Sequence, residues 1–191
     1  MVGNGRRNSV LNTFLDISRI EEGRQPIRIM SVALTDIVRE TARELQAIAE
    51  KNDIMIVTEV PEVINQVKID RDLTKQCIVN LLENAIKYSP KGKHVKLRVI
   101  EEIEYIRVDI EDSGIGIREE DIDRIFEKFY RASSDGTENI KGSGLGLTFV
   151  KEAIEAQGGK VSVKSSFGKG SQFSIIFSKT GEFDEKNSDR R

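Results

Sequence analysis

Gly142-Ser143-Gly144-Leu145-Gly146-Leu147 is the stretch on which the reading of this chain turns. Glycines at alternate positions let the backbone adopt positive φ and approach a bulky anion with no Cβ in the way. Residues 148 to 157 read as a helix directly after them. A glycine-rich turn that opens a helix offers unpaired N–H groups and the positive end of the helix dipole, which together suit a phosphate. Alone, such a run is equally well a surface turn. Two blocks upstream change the weighing: Asp112-Ser113-Gly114-Ile115-Gly116, and before it an asparagine-rich helix end, Asn80 to Tyr88.

The helix predicted over 70–88 has Asp70 as its N-cap and buries a stripe of Leu73, Cys77, Ile78, Leu81, Leu82, Ala85 and Ile86. Asn80, Asn84 and then Lys87 or Tyr88 fall three or four residues apart on an adjacent face. Asparagine is a poor helix former, so the pair at i and i+4 invites a reason. The Asn84 carbonyl oxygen suits Mg²⁺, a hard cation that commonly binds through substrate phosphates. Lys87 is placed to meet a phosphate and Tyr88 to lie against a flat base. In isolation the same pattern is a solvated helix face.

The remaining segments frame an α/β domain between a helical stub and a loose tail. Val10, Leu11, Phe14, Ile17 and Ile20 recur at helical spacing until Gly23 and Pro26 stop the run; such a stripe calls for core packing or a coiled-coil partner. A short strand at 27–32 precedes an amphipathic helix at 34–51, whose stripe is Leu34, Ile37, Val38, Ala42, Leu45 and Ile48. Strands follow at Ile54–Glu59 and Val63–Ile69. A two-residue hairpin joins 94–101 to 104–111, a short helix is expected at 118–126, and 132–143 is a polar loop. A last strand pair, Lys160–Ser165 and Gln172–Phe177, flanks Phe167-Gly168-Lys169-Gly170, and the charged stretch from Thr180 reads as disordered.

Lys and Arg total 30 against 32 Asp and Glu among 191 residues, a formal charge of −2, which gives no reason to expect nucleic acid or an acidic membrane as a partner. The single cysteine, Cys77, excludes an internal disulfide and reads as a small core residue. No run reaches the length of a membrane span and no signal-peptide segment opens the chain. The expected location is the cytosol, either free or as the cytosolic portion of a membrane-anchored receptor, with no membrane contact in this segment.

Residues 26 to 178 resemble the catalytic, ATP-binding domain of two-component sensor histidine kinases. Four blocks stand in that family's order: Asn80-Leu81-Leu82-Glu83-Asn84-Ala85-Ile86-Lys87-Tyr88, then Asp112-Ser113-Gly114-Ile115-Gly116-Ile117, then Phe126-Glu127-Lys128-Phe129-Tyr130-Arg131, then the glycine run at 142–147. The resemblance implies a Bergerat-type α/β two-layer sandwich, with helices over one face of a mixed sheet. Residues 1–25 would be the end of a dimerisation helix and linker, and 179–191 a tail.

It also implies ATP and Mg²⁺ as cofactors. Asp112 would accept a hydrogen bond from the adenine amino group, with Gly114, Gly116 and Ile117 alongside the base and Tyr88 packed on it. Asn84 would coordinate Mg²⁺, Asn80 and Lys87 would sit near the phosphates, and Arg131 would reach the γ-phosphate. Gly142, Ser143, Gly144, Leu145, Gly146 and Leu147 would bring backbone amides to the phosphates, and 118–141 would form a lid over the nucleotide. DNA gyrase, the mismatch-repair ATPases and the related heat-shock chaperone place a glutamate at position 80 to activate water; an asparagine there favours transfer to a protein acceptor over hydrolysis.

One departure stands out. The family's phosphate acceptor is a histidine on a dimeric helical hairpin, usually followed by an acidic residue, whereas the sole histidine here, His94, precedes Val95 and opens a strand-like run. It reads as a strand-edge surface residue. Leu11 to Gly23 instead resembles the end of the hairpin's second helix. The expectation is a monomeric fragment that binds Mg·ATP without autophosphorylating, with the histidine-bearing hairpin of the same or a partner chain and a response-regulator receiver domain as its partners. A serine kinase resembling the anti-sigma-factor kinases and a non-catalytic adaptor of the same fold are the alternatives.

Overall fold

The computed structural model describes residues 3–132 and 142–181, with side chains from residue 10 onward. Helix α1 (Gly3–Glu21) leads to strand β1 (Met30–Val32), helix α2 (Leu34–Lys51) and strands β2 (Met55–Glu59) and β3 (Val67–Ile69). Helix α3 (Arg71–Tyr88), strands β4 (His94–Glu101) and β5 (Tyr105–Glu111), helix α4 (Gly146–Glu155) and strands β6 (Lys160–Ser166) and β7 (Gly170–Ser178) complete the chain.

Five strands form one sheet in the order β2-β4-β5-β7-β6, in which β2 runs parallel to β4 and every other neighbour is antiparallel. The sheet is therefore mixed and open, and the helices pack on it as expected for an α/β two-layer sandwich. Strand alternation explains why only one face is apolar. Val95, Leu97 and Val99 of β4, Ile106, Val108 and Ile110 of β5, and Phe173, Ile175 and Phe177 of β7 are buried in the core that the helices close. The opposite face carries ion pairs such as Arg98 with Glu111. Asp109, 1% exposed on that face, is held by Ser174 Oγ at 2.6 Å and Arg107 Nε at 2.9 Å. A separate antiparallel pair, β1 with β3, sets Met30 opposite Ile69.

Helix α3 is central to the helical layer. Its whole predicted stripe is buried, and each leucine and isoleucine of it contributes about 1.5–3 kcal/mol of burial. That far outweighs the roughly half a kcal/mol by which each asparagine disfavours a helix. Asp70 caps it by accepting from Leu73 N at 3.0 Å, while its other oxygen takes Arg28 N–H at 2.8 Å. Gln157, just beyond α4, accepts from Asp70 N at 2.7 Å and from Thr74 Oγ1 at 3.1 Å, so the start of α3 is tied to the end of α4. Cys77 is fully buried, and burial pushes its thiol pKa well up, which makes it an inert core residue.

Several expectations are corrected. Ile48, expected in the α2 stripe, is 44% exposed. The strand expected at 63–69 pairs only over Val67–Ile69, where β1 supplies a partner. The β4–β5 connection has three residues, closed by Glu102 N to Tyr105 O at 2.9 Å. The helix expected at 118–126 shrinks to one 3₁₀ turn, Glu119–Asp121, whose continuation runs mostly through i to i+3 bonds. Tertiary anchors override propensity there: Ile125 is buried and the Tyr130 hydroxyl bonds Asp121. Most of the expected 132–143 loop, the matching part of the lid and the tail from residue 182 lie outside the described residues.

The stub helix docks on the domain. Ile17 and Ile20 enter the same core as α3 and α4, Phe14 stacks on Phe129 with ring centroids 5.9 Å apart, and Glu21 meets Lys128 Nζ at 2.6 Å. Val10 and Leu11 of the same stripe remain exposed, as does Leu15 beside it. Ile17→Ala should therefore lower unfolding stability by about 2–5 kcal/mol in denaturant titrations, while Leu15→Ala should stay near neutral. Equal, small effects at both positions would mean that α1 does not share the core.

Candidate functional site

The last two turns of α3, the end of β5, the loop after it and the start of α4 surround a cavity of about 250 Å³. Helical spacing places Asn80, Asn84, Lys87 and Tyr88 along one wall. Asp112, Ile115, Gly116 and Ile117 form a second wall, and Gly142, Ser143, Gly144, Gly146 and Leu147 a third. Arg131 closes one end. Residues 62 positions apart in sequence, Asn80 and Gly142, thus share one space.

At the base of the cavity Asp112 accepts Gly114 N–H at 2.8 Å and Ser171 N–H at 3.3 Å, both at Oδ1. Oδ2 accepts nothing among the described residues, so it is the oxygen left for a ligand. Burial raises the Asp112 pKa, and the two backbone bonds and the neighbouring Glu111 adjust it less. Toward the other end, burial and then the nearby Arg131 charge lower the Lys87 pKa, against a smaller pull from Glu83. Two cations are held close enough to repel, beside the N-terminus of α4. Lys87 Nζ also lies 4.9 Å over the Tyr88 ring, and burial raises the Tyr88 pKa.

The asparagines are not used to hold the fold. Asn80 Nδ2 donates to Gln76 O at 3.0 Å, which leaves Oδ1 as its available acceptor, and the Asn84 amide makes no hydrogen bond among the described residues. Helix α4 begins at Gly146, two residues earlier than the sequence suggested, so the glycine run itself supplies the first turn. Two glycines are required by chain-to-chain approach. Gly116, at φ +68°, would place a Cβ 2.0 Å from Ser166 O, and Gly144, at φ +71°, would place one 2.7 Å from the Phe129 carbonyl carbon. Phe129 itself has φ 64° and donates its N–H to Gly144 O at 2.9 Å.

Two residues expected at the ligand do not line the cavity. Leu145 is fully buried in the hydrophobic core, and Gly114 instead packs against Tyr88 O. Conversely, Ala85, Ile115, Ile125, Tyr130, Ala132, Ser171 and Phe173 line it and were not singled out from sequence. Ser171 stands in Gly168-Lys169-Gly170-Ser171, a turn motif legible in the sequence, but its cross-chain bond to Asp112 is not. His94 lies at the start of β4 and is exposed, away from the cavity lining.

Residues 69–181 match the model of the histidine kinase-, DNA gyrase B- and HSP90-like ATPases. This chain belongs to that ATPase family. It is 37% identical over 123 residues to the sensor histidine kinase WalK of Bacillus subtilis, covering 63% of this chain. To the autoinducer 2 sensor kinase/phosphatase LuxQ of Vibrio cholerae it is 36% identical over 171 residues, 87% of this chain. The chain spans only 20% of the length of each of these curated relatives. Among solved structures, full-length ShkA in complex with AMPPNP superposes with a TM-score of 0.76 at 25% identity, over 88% of this chain and 35% of ShkA. The family assignment carries ATP binding, and the relatives are sensor histidine kinases. No helix among the described residues is long and apolar enough to cross a membrane.

The raised Asp112 pKa has a stability consequence. A carboxyl whose folded pKa lies above its unfolded value costs nothing below the unfolded pKa and its full penalty above the folded pKa. Asp112→Asn keeps an acceptor oxygen for Gly114 N and Ser171 N but removes the charge. Without nucleotide at neutral pH, the variant should unfold at equal or higher denaturant concentration than the unmodified chain, with the difference closing on acidification. A clearly less stable variant would show that the buried charge is favourable in the empty fold.

Proposed function

We propose that this chain is the catalytic, Mg·ATP-binding part of a sensor histidine kinase and that its cavity holds the nucleotide with adenine at Asp112 and the phosphates toward Lys87, Arg131 and the start of α4. The single observation that carries this reading is the polarity of one cavity: an acceptor carboxylate at one end, two mutually repelling cations beside a helix N-terminus at the other. An adenine amino group satisfies the first, and a triphosphate relieves the second. Ile115, Ile117, Ile125 and Phe173 supply the apolar walls that a purine ring needs between them.

The donor set fits Mg²⁺ shared with phosphates. Asn84 and Asn80 present carbonyl oxygens with no prior partner, and no cluster of three or more acidic, histidine or cysteine side chains suited to an all-protein metal cage exists among the described residues. Asn84 would hold the ion, with Asn80 close to the phosphates. When bound, Mg²⁺ neutralises charge on the phosphate oxygens. Lys87 and Arg131 would then orient the γ-phosphoryl, and the amides of 142–147 would receive the remaining charge.

Asp112 is the sole carboxylate among the described residues that line the cavity, and it sits at the base end. Among the described residues that line the phosphate end there is no carboxylate or imidazole to take a proton from water, so hydrolysis is poorly served. A neutral imidazole brings its own nucleophilic nitrogen: the N–P bond forms as the bond from phosphorus to the ADP oxygen breaks. The acceptor would be a histidine on a helical hairpin of the same or a partner chain, followed by an aspartate of a response regulator. The serine-kinase and adaptor alternatives find no support among the relatives, which are sensor kinases.

Calorimetric titration of ADP and a non-hydrolysable ATP analogue, with and without Mg²⁺, tests the reading. The unmodified chain should bind both, Asp112→Asn should lose binding by tenfold or more, roughly the value of one charged hydrogen bond, and Asn84→Ala should lose the Mg²⁺ dependence. No binding by the folded, unmodified chain would favour the adaptor. Adding an acceptor-helix fragment with labelled ATP should yield an acid-labile phosphohistidine, whereas acid-stable phosphoserine would point to the other kinase class.

A further inference from the structure

Ser165, near the end of β6, lies outside the cavity lining and outside every block that suggested the function. Its hydroxyl is nevertheless the junction of three segments around Asp112. It accepts Ile117 N–H at 2.8 Å, donates to Gly170 O at 2.9 Å, and lies 2.9 Å from Ser171 Oγ, its cross-strand partner. A serine hydroxyl has one proton and two lone pairs. The proton goes to the Gly170 carbonyl, which can only accept, and one lone pair takes Ile117 N–H. The contact with Ser171 therefore has a single consistent polarity: Ser171 donates and Ser165 accepts.

That polarity reaches the ligand. Ser171 lines the cavity and donates its backbone N–H to Asp112, and a hydroxyl whose proton is turned toward Ser165 has only oxygen lone pairs left for a ligand that reaches it. The base end then presents acceptors from both Asp112 and Ser171. An exocyclic amino group is welcome there, and a carbonyl oxygen meets unpaired lone pairs. The same hydroxyl seats the loop that carries Gly116 through its bond to Ile117 N.

We propose that Ser165 is a positioning residue for purine discrimination: by fixing the hydroxyl polarity of Ser171 and the seat of the 115–117 loop, it makes the site select a 6-amino purine over a 6-oxo purine. The inference rests on the adenine-nucleotide reading above. With Ser165→Ala, Ser171 regains a free hydroxyl proton that can turn to donate to a 6-oxo group.

The test is competitive displacement of a fluorescent ADP analogue by ADP and by inosine diphosphate, which replaces the 6-amino group with a 6-oxo group, on the full chain and on Ser165→Ala and Ser165→Thr. The ratio of ADP to inosine diphosphate affinity should fall by about threefold to tenfold in Ser165→Ala, the span of one neutral hydrogen bond, and return in Ser165→Thr, which keeps the hydroxyl. A Ser165→Ala variant that weakens both nucleotides equally, or neither, overturns the inference while the nucleotide site stands. Failure of the unmodified chain to bind ADP at all removes the underlying reading, and the inference with it.

Discussion

The two faces of α3 are one rigid object, and the rest of the molecule is arranged around that constraint. The buried stripe from Leu73 to Ile86 fixes the helix against the sheet and α4, and Asp70 and Gln157 fix its start. Because a helix turns 100° per residue, burying that stripe dictates where Asn80, Asn84, Lys87 and Tyr88 must point. Core packing therefore aims the cavity wall. Cavity-facing side chains on a helix anchored in this way are held more closely than loop residues would be.

The opposite walls are built from segments that have little regular structure of their own, and each is clamped to a neighbour. The loop after β5 lies on the end of β6 at Gly116 and Ser166, and the glycine run lies on Phe129 at Gly144. The site bears an electrostatic cost when empty. Asp112 is desolvated, and Lys87 and Arg131 repel one another. These groups are poor choices for stability and good ones for a ligand with an amino edge and several negative charges. That opposition of stability and binding is the usual physical mark of a site.

Helix α1 touches the segment next to the glycine run. Phe14 stacks on Phe129 and Glu21 pairs with Lys128, while the Phe129 backbone is bonded to Gly144. A contiguous path of contacts thus runs from the stub helix to the glycine run. The exposed pair is screened and weakly stabilising, so the ring stack and the burial of Ile17 and Ile20 carry most of this docking.

Sequence by itself determined the family resemblance, the buried stripe of α3 and most of that of α2, the β4–β5 and β6–β7 hairpins and most of the cavity-lining residues, since these depend on local periodicity and on glycine, asparagine and aspartate standing at fixed spacings. The α2 and α3 bounds followed from apolar period and an N-cap that act within a few residues. Tertiary structure alone decided what depends on distant partners. The 118–126 segment became a 3₁₀ turn because Ile125 and Tyr130 are anchored elsewhere, Leu145 turned into the core, and α1 found a partner in α4. Ser171 and Ser165 joined the site only through cross-strand pairing and through the approach of β7 to Asp112, contacts between residues dozens of positions apart that no local pattern encodes.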